Sequence, residues 1–380
     1  MAMETLRHTA ESNDTAEYFE SYDNLDVHQL MLRDTVRIQA YKNAIFSCTE
    51  YFKDKVIMDV GAGTGILSIF CAQAGARVVY AVEASVLANI IPKVAKENNF
   101  SAVIRVLNQR VEDVVLPEGA KVDVIVSEWM GFYLLHEGML DSVLHARDVH
   151  MKADGKMFPE IAKLWCAPCS MPELYDFWDD VGGVRMQSVG QIWRQQKSQE
   201  PQIVEISGSN LLTDPVNICT LDLRSISSRE LESVSGKFVL PASHDGKYQG
   251  LCMWFSCVFP CIDDGSHGTV LSTAPTEPPT HWKQAVVMLP HDFTVEEGTP
   301  LAWELRLHRS ALNSRHYSIE FTELDPEAVK HPLPCMCYMT KCIVLRAFLE
   351  QKEGWSEAEA GDEEGEEPDD SCSSGDKADV

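Results

Sequence analysis

The chain has 380 residues, 45% of them hydrophobic, and a formal net charge of −26. That length suits two domains and a large core; the acidity excludes DNA or RNA as main partner, because phosphate contacts need basic surface, and suits a cationic one. No apolar run reaches a bilayer span, no secretory pattern opens the chain, and twelve scattered cysteines suit a reducing compartment.

Residues 1–17 are polar and expected to be disordered, ahead of the aromatic cluster Tyr18-Phe19-Glu20-Ser21-Tyr22. Aromatic side chains so near a loose end usually dock on something. Asp26 and Gln29 resemble a capping box. Leu30, Met31, Val36, Ala40, Tyr41 and Ile45 recur at helical spacing, which predicts one helix over 26–46. His28, Met31, Asp34 and Arg37 share roughly one side of it; a core contact is the ordinary role of Met31. Val56 to Phe70 then reads strand, glycine turn, helix. Its Val60-Gly61-Ala62-Gly63-Thr64-Gly65 turn lets backbone approach a ligand, with N–H groups open toward it. Ile66 stands where a dinucleotide fingerprint wants its third glycine, so the signal is for a nucleoside without demanding pyrophosphate. A second strand, Arg77 to Val82, ends in Glu83, placed to accept both hydroxyls of a ribose. Residues 103–116 hold a third strand followed by Glu112, on spacing alone as natural a surface acid as a partner for an adenine edge.

The short apolar run Val122 to Val126 reads as a buried parallel strand. Ligands bind just past the carboxyl ends of such strands, and there the chain places Glu128 and Glu137. Gly131 between them lets the backbone fold back, so both carboxylates can converge. Converging carboxylates repel unless a cation lies between them, and a planar guanidinium matches them bidentately. Leu140 to Val149 is expected to be helical and Lys152 to Lys156 a turn.

After Pro159 the period changes to two, as in Leu301/Trp303/Leu305/Leu307, Leu251 to Phe259 and Tyr317 to Phe321. Residues 159–350 therefore predict a β-barrel or sandwich. Within it, Tyr175 to Gln199 breaks the pattern: Trp178, Val181, Val184, Met186, Val189, Ile192 and Trp193 imply either internal packing or an arm for a second subunit. His281, in Thr280-His281-Trp282, is by default a satisfied structural histidine; a functional one needs an acid partner, for which Asp34 is a candidate. The C-x-x-C of Cys166 and Cys169 and the C-x-C of Cys335 and Cys337 lack a second pair, so buried thiols and no metal site are expected. Residues 351–380 carry a net charge of −10 and almost no apolar content, and are expected to be a disordered tail.

With these residues assembled, the chain resembles the type I protein arginine N-methyltransferases, which use S-adenosylmethionine. The resemblance covers about residues 18–350. It rests on Tyr18-Phe19…Tyr22, the 60–65 glycine turn, Glu83, the two-glutamate loop and Thr280-His281-Trp282; in its wording over 59–85 it is most similar to the 6-type, histone-modifying branch. The resemblance implies a Rossmann-like S-adenosylmethionine-binding domain over 18–158 and a β-barrel substrate domain over 159–350, with a dimerisation arm at about 175–199. It implies that Gly61, Gly63 and Gly65 line the methionine part of the cofactor, Glu83 holds the ribose and Glu112 the adenine. Arg37 would bind the cofactor carboxylate, with His28, Tyr22 and Met31 nearby. Glu128 and Glu137 would grip the target guanidinium, with Asp34 and His281 paired across the domain junction. Met31, Met139, Tyr22 and Trp282 would shape the substrate pocket. It further implies a homodimer in nucleus or cytoplasm acting on histone tails and Gly/Arg-rich proteins, and giving mono- and asymmetric dimethylarginine. Gln29 and Leu30 replace acidic residues common in that helix, and Lys42 replaces an arginine, which bears on substrate preference. The alternatives are a small-molecule methyltransferase, which would not need two glutamates or a large β domain, and an inactive scaffold binding through its dimer and acidic tail, against which all motif residues are intact.

Overall fold

The structure, a computed structural model, describes residues 22–260, 268–311 and 313–351. The expected loose segment 1–17, the aromatic residues 18–21 and the acidic stretch beyond 351 lie outside the described residues. Three helices come first: α1 (Leu25–Arg33), α2 (Thr35–Ser47) and the single turn α3 (Thr49–Phe52). The one helix expected over 26–46 is thus broken at Asp34. That residue is extended (φ −71°, ψ 91°), and its Oδ1 accepts the Arg37 backbone N–H at 2.9 Å. An aspartate that caps a new helix cannot also continue the previous one. The cap of α1 is Asn24, which accepts from Asp26 N, so Asp26 is not the capping residue.

A five-stranded parallel sheet follows, built from β1 (Val56–Val60), β2 (Val78–Val82), β3 (Ile104–Leu107), β4 (Val122–Val126) and β5 (Met151–Phe158) in the order β3-β2-β1-β4-β5. Helices α4 (Ile66–Gln73), α5 (Ile91–Glu97) and α6 (Leu140–His150) connect the strands. Every residue of β1 is buried, Asp59 included, because the strand is covered on both faces. The strand order reverses between β1 and β4, so a crevice opens beyond their carboxyl ends. The turn expected at Lys152 to Lys156 lies within β5 instead. Met151 pairs with Val122 and Lys156 with Val124, and the residues between bulge out of the ladder.

The second unit begins at β6 (Ile161–Cys169) with no helix after β5. With β7 (Gln202–Val204), β8 (Val216–Asp222), β10 (Gly246–Val258), β11 (Val270–Ser272) and β12 (Gln284–Val295) it forms a six-stranded antiparallel sheet. β9 (Ser233–Pro241), β13 (Pro300–Arg309) and β14 (Tyr317–Glu323) form a three-stranded one. From Trp303 onward β13 alternates as expected, but residues 248–255 of β10 are all buried, because this central strand is covered on both faces. The excursion after β6 consists of α7 (Pro172–Tyr175), a tight turn and α8 (Gln187–Lys197). Its root is anchored: Tyr175 Oη donates to Gln249 O at 2.8 Å, and Trp178 packs on Trp193 at 5.9 Å. Its outer side leaves Phe177 56% and Ile192 61% exposed. A helix α9 (Thr340–Gln351) ends the described chain.

One hydrophobic core runs through both units. Aromatic contacts carry it across the junction: Tyr41 meets Phe259 edge-to-face at 4.9 Å, and Phe158 packs tilted on the same ring at 6.3 Å. Arg147 of α6 adds two bonds, from Nη1 to Leu223 O (2.8 Å) and Ile226 O (2.7 Å), and Arg309 pairs with Asp141 at 2.7 Å. The crevice beyond β1 and β4 is thereby roofed by the β unit.

Candidate active site

A cavity of about 520 Å³ fills that junction, within the roughly 300–1,000 Å³ of small-molecule sites. The β1–α4 turn forms one wall. Gly61, Gly63 and Gly65 all have positive φ. At Gly61 (φ +72°) an added Cβ would lie 2.3 Å from Met139 Cε, so the turn and the two-glutamate loop meet where a side chain would collide. Glu83, at the end of β2, is buried, and its two oxygens accept Gly63 N (2.7 Å) and Ser85 N (2.8 Å). The carboxylate thus fixes the glycine turn while lining the cavity. Glu112 accepts from Ser142 Oγ at 2.7 Å and from Arg110 at 3.3 Å. Burial pushes its carboxyl up, but these bonds outweigh it and leave the net shift below the ordinary glutamate value.

The opposite wall is the loop after β4. Ser127 Oγ donates to Val60 O at 2.7 Å and Tyr41 Oη to Ser127 O at 2.8 Å, which pins the end of β4 beside β1. The chain then doubles back: Gly131 and Leu134 exchange backbone bonds at 3.1 Å, and an added Cβ on Gly131 would lie 2.1 Å from His136 O. Tyr133, Leu134 and Glu137 sit at positive φ (41°, 68° and 75°), a conformation that costs non-glycine residues about 1–3 kcal/mol each. Strain of this kind is found where surrounding structure holds a functional geometry. As a result Glu128 and Glu137 both line the cavity.

Their surroundings differ. Arg37 donates Nε (3.0 Å) and Nη2 (2.7 Å) to Glu128 Oε2, and Nη1 to Met31 O (3.1 Å). Three of its five N–H groups are thereby used, and the guanidinium compensates one of the two acids. Glu137 accepts a short hydrogen bond from Tyr22 Oη, and Arg315 Nη1 donates to the Glu137 carbonyl at 2.9 Å. Burial raises the Glu137 carboxyl above the ordinary range, and the Glu128 charge adds to this; the Tyr22 hydroxyl and the Arg315 charge oppose it. His28 is buried with Nε2 at 2.8 Å from Tyr22 O, and its ring lies along Gly63.

Asp34 reaches across the junction. Its Oδ2 accepts His281 N (2.9 Å) and the His281 ring at Nδ1 (2.7 Å). Burial pushes the Asp34 carboxyl up, but the bonds from His281 and Arg37 N outweigh this and hold it below the usual aspartate range. An ionised Asp34 fixes the proton on Nδ1 and leaves Nε2 as the acceptor of the ring. Trp282 is buried, donates from Nε1 to Met130 O at 2.9 Å and stacks edge-on against Phe255.

Sequence reasoning missed several cavity residues. Asn313, Arg315 and His316 come from the turn between β13 and β14 and carry no local motif. His136 stacks on His316 at 5.1 Å, and burial, then the His316 charge, lower it to about 4. Behind the glycine turn, Asp59 is buried with Ser68 Oγ at 2.6 Å, and burial raises its carboxyl to about 7.

A parallel sheet with a nucleoside-type turn, joined to a β unit across an acidic pocket, defines a two-domain group-transfer architecture. Comparison with known proteins sharpens this. The family model "Arginine methyltransferase oligomerization subdomain" matches residues 160–323, and "Ribosomal protein L11 methyltransferase (PrmA)" matches 38–136. Protein arginine N-methyltransferase 6 of Danio rerio is 39% identical over 321 residues, 83% of this chain and 90% of its own. Protein arginine N-methyltransferase 2 of Homo sapiens is 39% identical over 309 residues, 80% and 71%. The structure of protein arginine methyltransferase 10 of Arabidopsis thaliana superposes with a TM-score of 0.70 at 34% identity, over 80% of this chain and 94% of that one. The Trypanosoma brucei PRMT1 enzyme–prozyme heterotetrameric complex with AdoHcy does so with 0.71 at 32%, over 82% and 97%. The chain belongs to the protein arginine N-methyltransferase family.

Proposed function

We infer that this chain transfers methyl groups from S-adenosylmethionine to guanidino nitrogens of protein arginine residues. The observation that carries the reading is the convergence of Glu128 and Glu137 on the cavity walled by residues 61–64 of the glycine turn and by Glu83; Gly65, expected among them, does not line it. The residues fit the cofactor. A glycine turn whose Gly61 sits against Met139, an acid at the end of β2 and Glu112 beside α6 offer partners for a nucleoside. Arg37 retains N–H groups for a carboxylate. His28, Tyr22 and Met31 complete that wall. When bound, S-adenosylmethionine supplies an electrophilic methyl group on a positively charged sulfur.

The acceptor guanidinium is also a cation. Two unit charges about 4 Å apart at an effective dielectric near 20 repel by about 4 kcal/mol, and the two carboxylates offset this. Arginine stays charged at any working pH, its pKa being above about 12, so prior deprotonation is not the route. Glu137 draws positive charge toward the far nitrogens and leaves lone-pair density on the near one. Glu128, held by Arg37, fixes the plane and the line of approach. His281, its ring oriented by Asp34, stands with Glu137 as a group able to take the released proton. Met31 and Met139 limit the room beside the reacting nitrogen, which favours a second methyl on the same nitrogen and thus asymmetric dimethylarginine. Tyr22 and Trp282 complete the pocket.

The arm at about 175–199 mediates a homodimer, because its outer apolar side, with Phe177 and Ile192, stays exposed among the described residues. An acidic surface suits histone tails and Gly/Arg-rich segments. Among the described residues no helix is long and apolar enough to cross a membrane, and the ten described cysteines are free thiols, as suits nucleus or cytoplasm. The test is labelled-methyl transfer to a Gly/Arg-rich peptide with mass-spectrometric identification of the product. Mono- and asymmetric dimethylarginine are expected; an unmodified peptide, or symmetric product alone, overturns the reading.

A further inference from the structure

Between β14 and α9, residues 324–339 form neither helix nor strand, yet the segment and the start of α9 bury His331, Cys335, Cys337 and Cys342. Among the described residues, Met339 is the one partly buried hydrophobic side chain packed against the three thiols, so apolar burial gives little reason for this convergence. His331 Nδ1 lies 3.3 Å from Cys335 Sγ, 3.5 Å from Cys337 Sγ and 3.3 Å from Cys342 Sγ. All four atoms lie within 4.8 Å of one another, the only such group among the described residues. A tetrahedral ion bound at about 2.3 Å to sulfur and about 2.0–2.1 Å to nitrogen sets neighbouring ligand atoms about 3.6–3.8 Å apart. The cluster is already close to that frame.

A second observation concerns the imidazole. Its Nε2 lies 2.7 Å from the Pro326 carbonyl. A carbonyl only accepts, so Nε2 carries the proton and the Nδ1 lone pair faces the sulfurs, the outer-shell arrangement that prepares a histidine for a metal. Cations border the cluster too. Lys341 Nζ lies 3.3 Å from Pro326 O and 3.2 Å from Glu327 O, and Arg346 Nη1 donates to Cys335 O at 2.9 Å. Three thiolates and a neutral imidazole around a dication carry one net negative charge, which these side chains balance.

We propose that His331, Cys335, Cys337 and Cys342 form a structural zinc site that fastens α9 to the β unit. Soft sulfur donors exclude calcium and magnesium, and four protein ligands in a buried site fill the tetrahedron, as in structural rather than catalytic zinc centres. The segment rests on the turn between β12 and β13, where Tyr338 N donates to Gly298 O at 3.0 Å. None of the four residues lines the methyl-transfer cavity, so the site is independent of the proposed activity. The reading replaces the sequence-based expectation of plain buried thiols at Cys335 and Cys337.

The test is metal analysis of the purified full-length chain by plasma mass spectrometry, with cobalt exchange as a spectroscopic probe. Expected are one zinc per chain, its release by a mercurial thiol reagent, and thiolate-to-cobalt charge-transfer absorption after exchange. Cys337→Ser and Cys342→Ser should each remove the zinc and raise hydrogen exchange over 324–351. His331→Cys, which keeps four soft donors, should keep zinc and change the cobalt spectrum, separating ligation from misfolding. A wild-type chain that stays metal-free after incubation with zinc under reducing conditions, or one whose zinc survives both serine variants, overturns the proposal.

Discussion

Glu137→Gln isolates the charge from the shape of the loop. The amide matches the carboxylate in size, so the strained backbone at φ +75° and the Arg315 bond to the Glu137 carbonyl remain. One negative charge leaves a cavity that also holds Glu128. A charge-assisted hydrogen bond to the acceptor contributes about 1.5–3 kcal/mol net. The full Coulomb term for a pair about 4 Å apart at dielectric near 20 sets an upper bound of about 4 kcal/mol. At 1.36 kcal/mol per tenfold in rate, kcat/KM should fall between about 10- and 10³-fold. The assay is labelled-methyl transfer to an arginine-rich peptide, run beside calorimetric titration with S-adenosylhomocysteine. Cofactor affinity should be unchanged, because Glu137 is absent from the glycine-turn wall. Glu128→Gln is the contrast: it also releases Arg37, so both turnover and cofactor affinity should fall. Near-normal methylation by Glu137→Gln, or a parallel loss of cofactor binding, would refute the assignment.

Four further outcomes follow from the geometry. Burial raises the Glu137 carboxyl above the ordinary range, and in its proposed role it acts ionised, so kcat/KM should rise with pH through that raised value; Tyr22→Phe removes a hydrogen bond that opposes the shift and should move the acid limb to higher pH in a pH–rate profile. Gly131→Ala places a Cβ against the His136 carbonyl, which cannot swing aside, so methyl transfer should drop by more than about 100-fold, the scale of a misplaced catalytic group, with circular dichroism unchanged. Asp59, raised to about 7 by burial, binds a proton in the folded chain that the unfolded chain releases near 4. Stability should therefore fall as pH rises from about 4 to 7, by on the order of 4 kcal/mol, and Asp59→Asn should flatten this decline in urea titrations at several pH values. Ile192→Glu on the arm should convert the proposed homodimer to monomer in analytical ultracentrifugation and lower activity with it.

The parts legible in the sequence are those whose signal is local. The 60–65 glycine turn, Glu83 and the apolar run before Glu128 each declare themselves within a strand and its adjoining loop, and they meet because parallel strands deliver their carboxyl ends to one edge. The break at Asp34 is not legible, because the apolar spacing runs on through it; the pairing with His281 is expected from the sequence, but not that the other carboxylate oxygen starts a new helix at Arg37. Spacing and resemblance offer Arg37 only as a partner for the cofactor carboxylate; its pairing with Glu128 joins a helix before β1 to a loop after β4. Arg315 and His316 depend on where the β13–β14 turn comes to rest. In β10, burial on both faces erased the alternation expected there. Cys335 and Cys337 read as a lone pair because His331 and Cys342, which flank them, join them only through the fold of the segment.

Asp34 does three jobs with two oxygens: one starts α2, the other takes both the amide and the ring of His281. The helix carrying Arg37 is therefore riveted to the β unit at the rim of the crevice. Any tilt of one domain against the other must pull on the residue that positions Glu128, so the two halves of the pocket sense each other through the scaffold. By thermodynamic reciprocity, an arginine peptide that steadies this joint tightens the grip on the methyl donor, and the donor returns the same factor to the peptide.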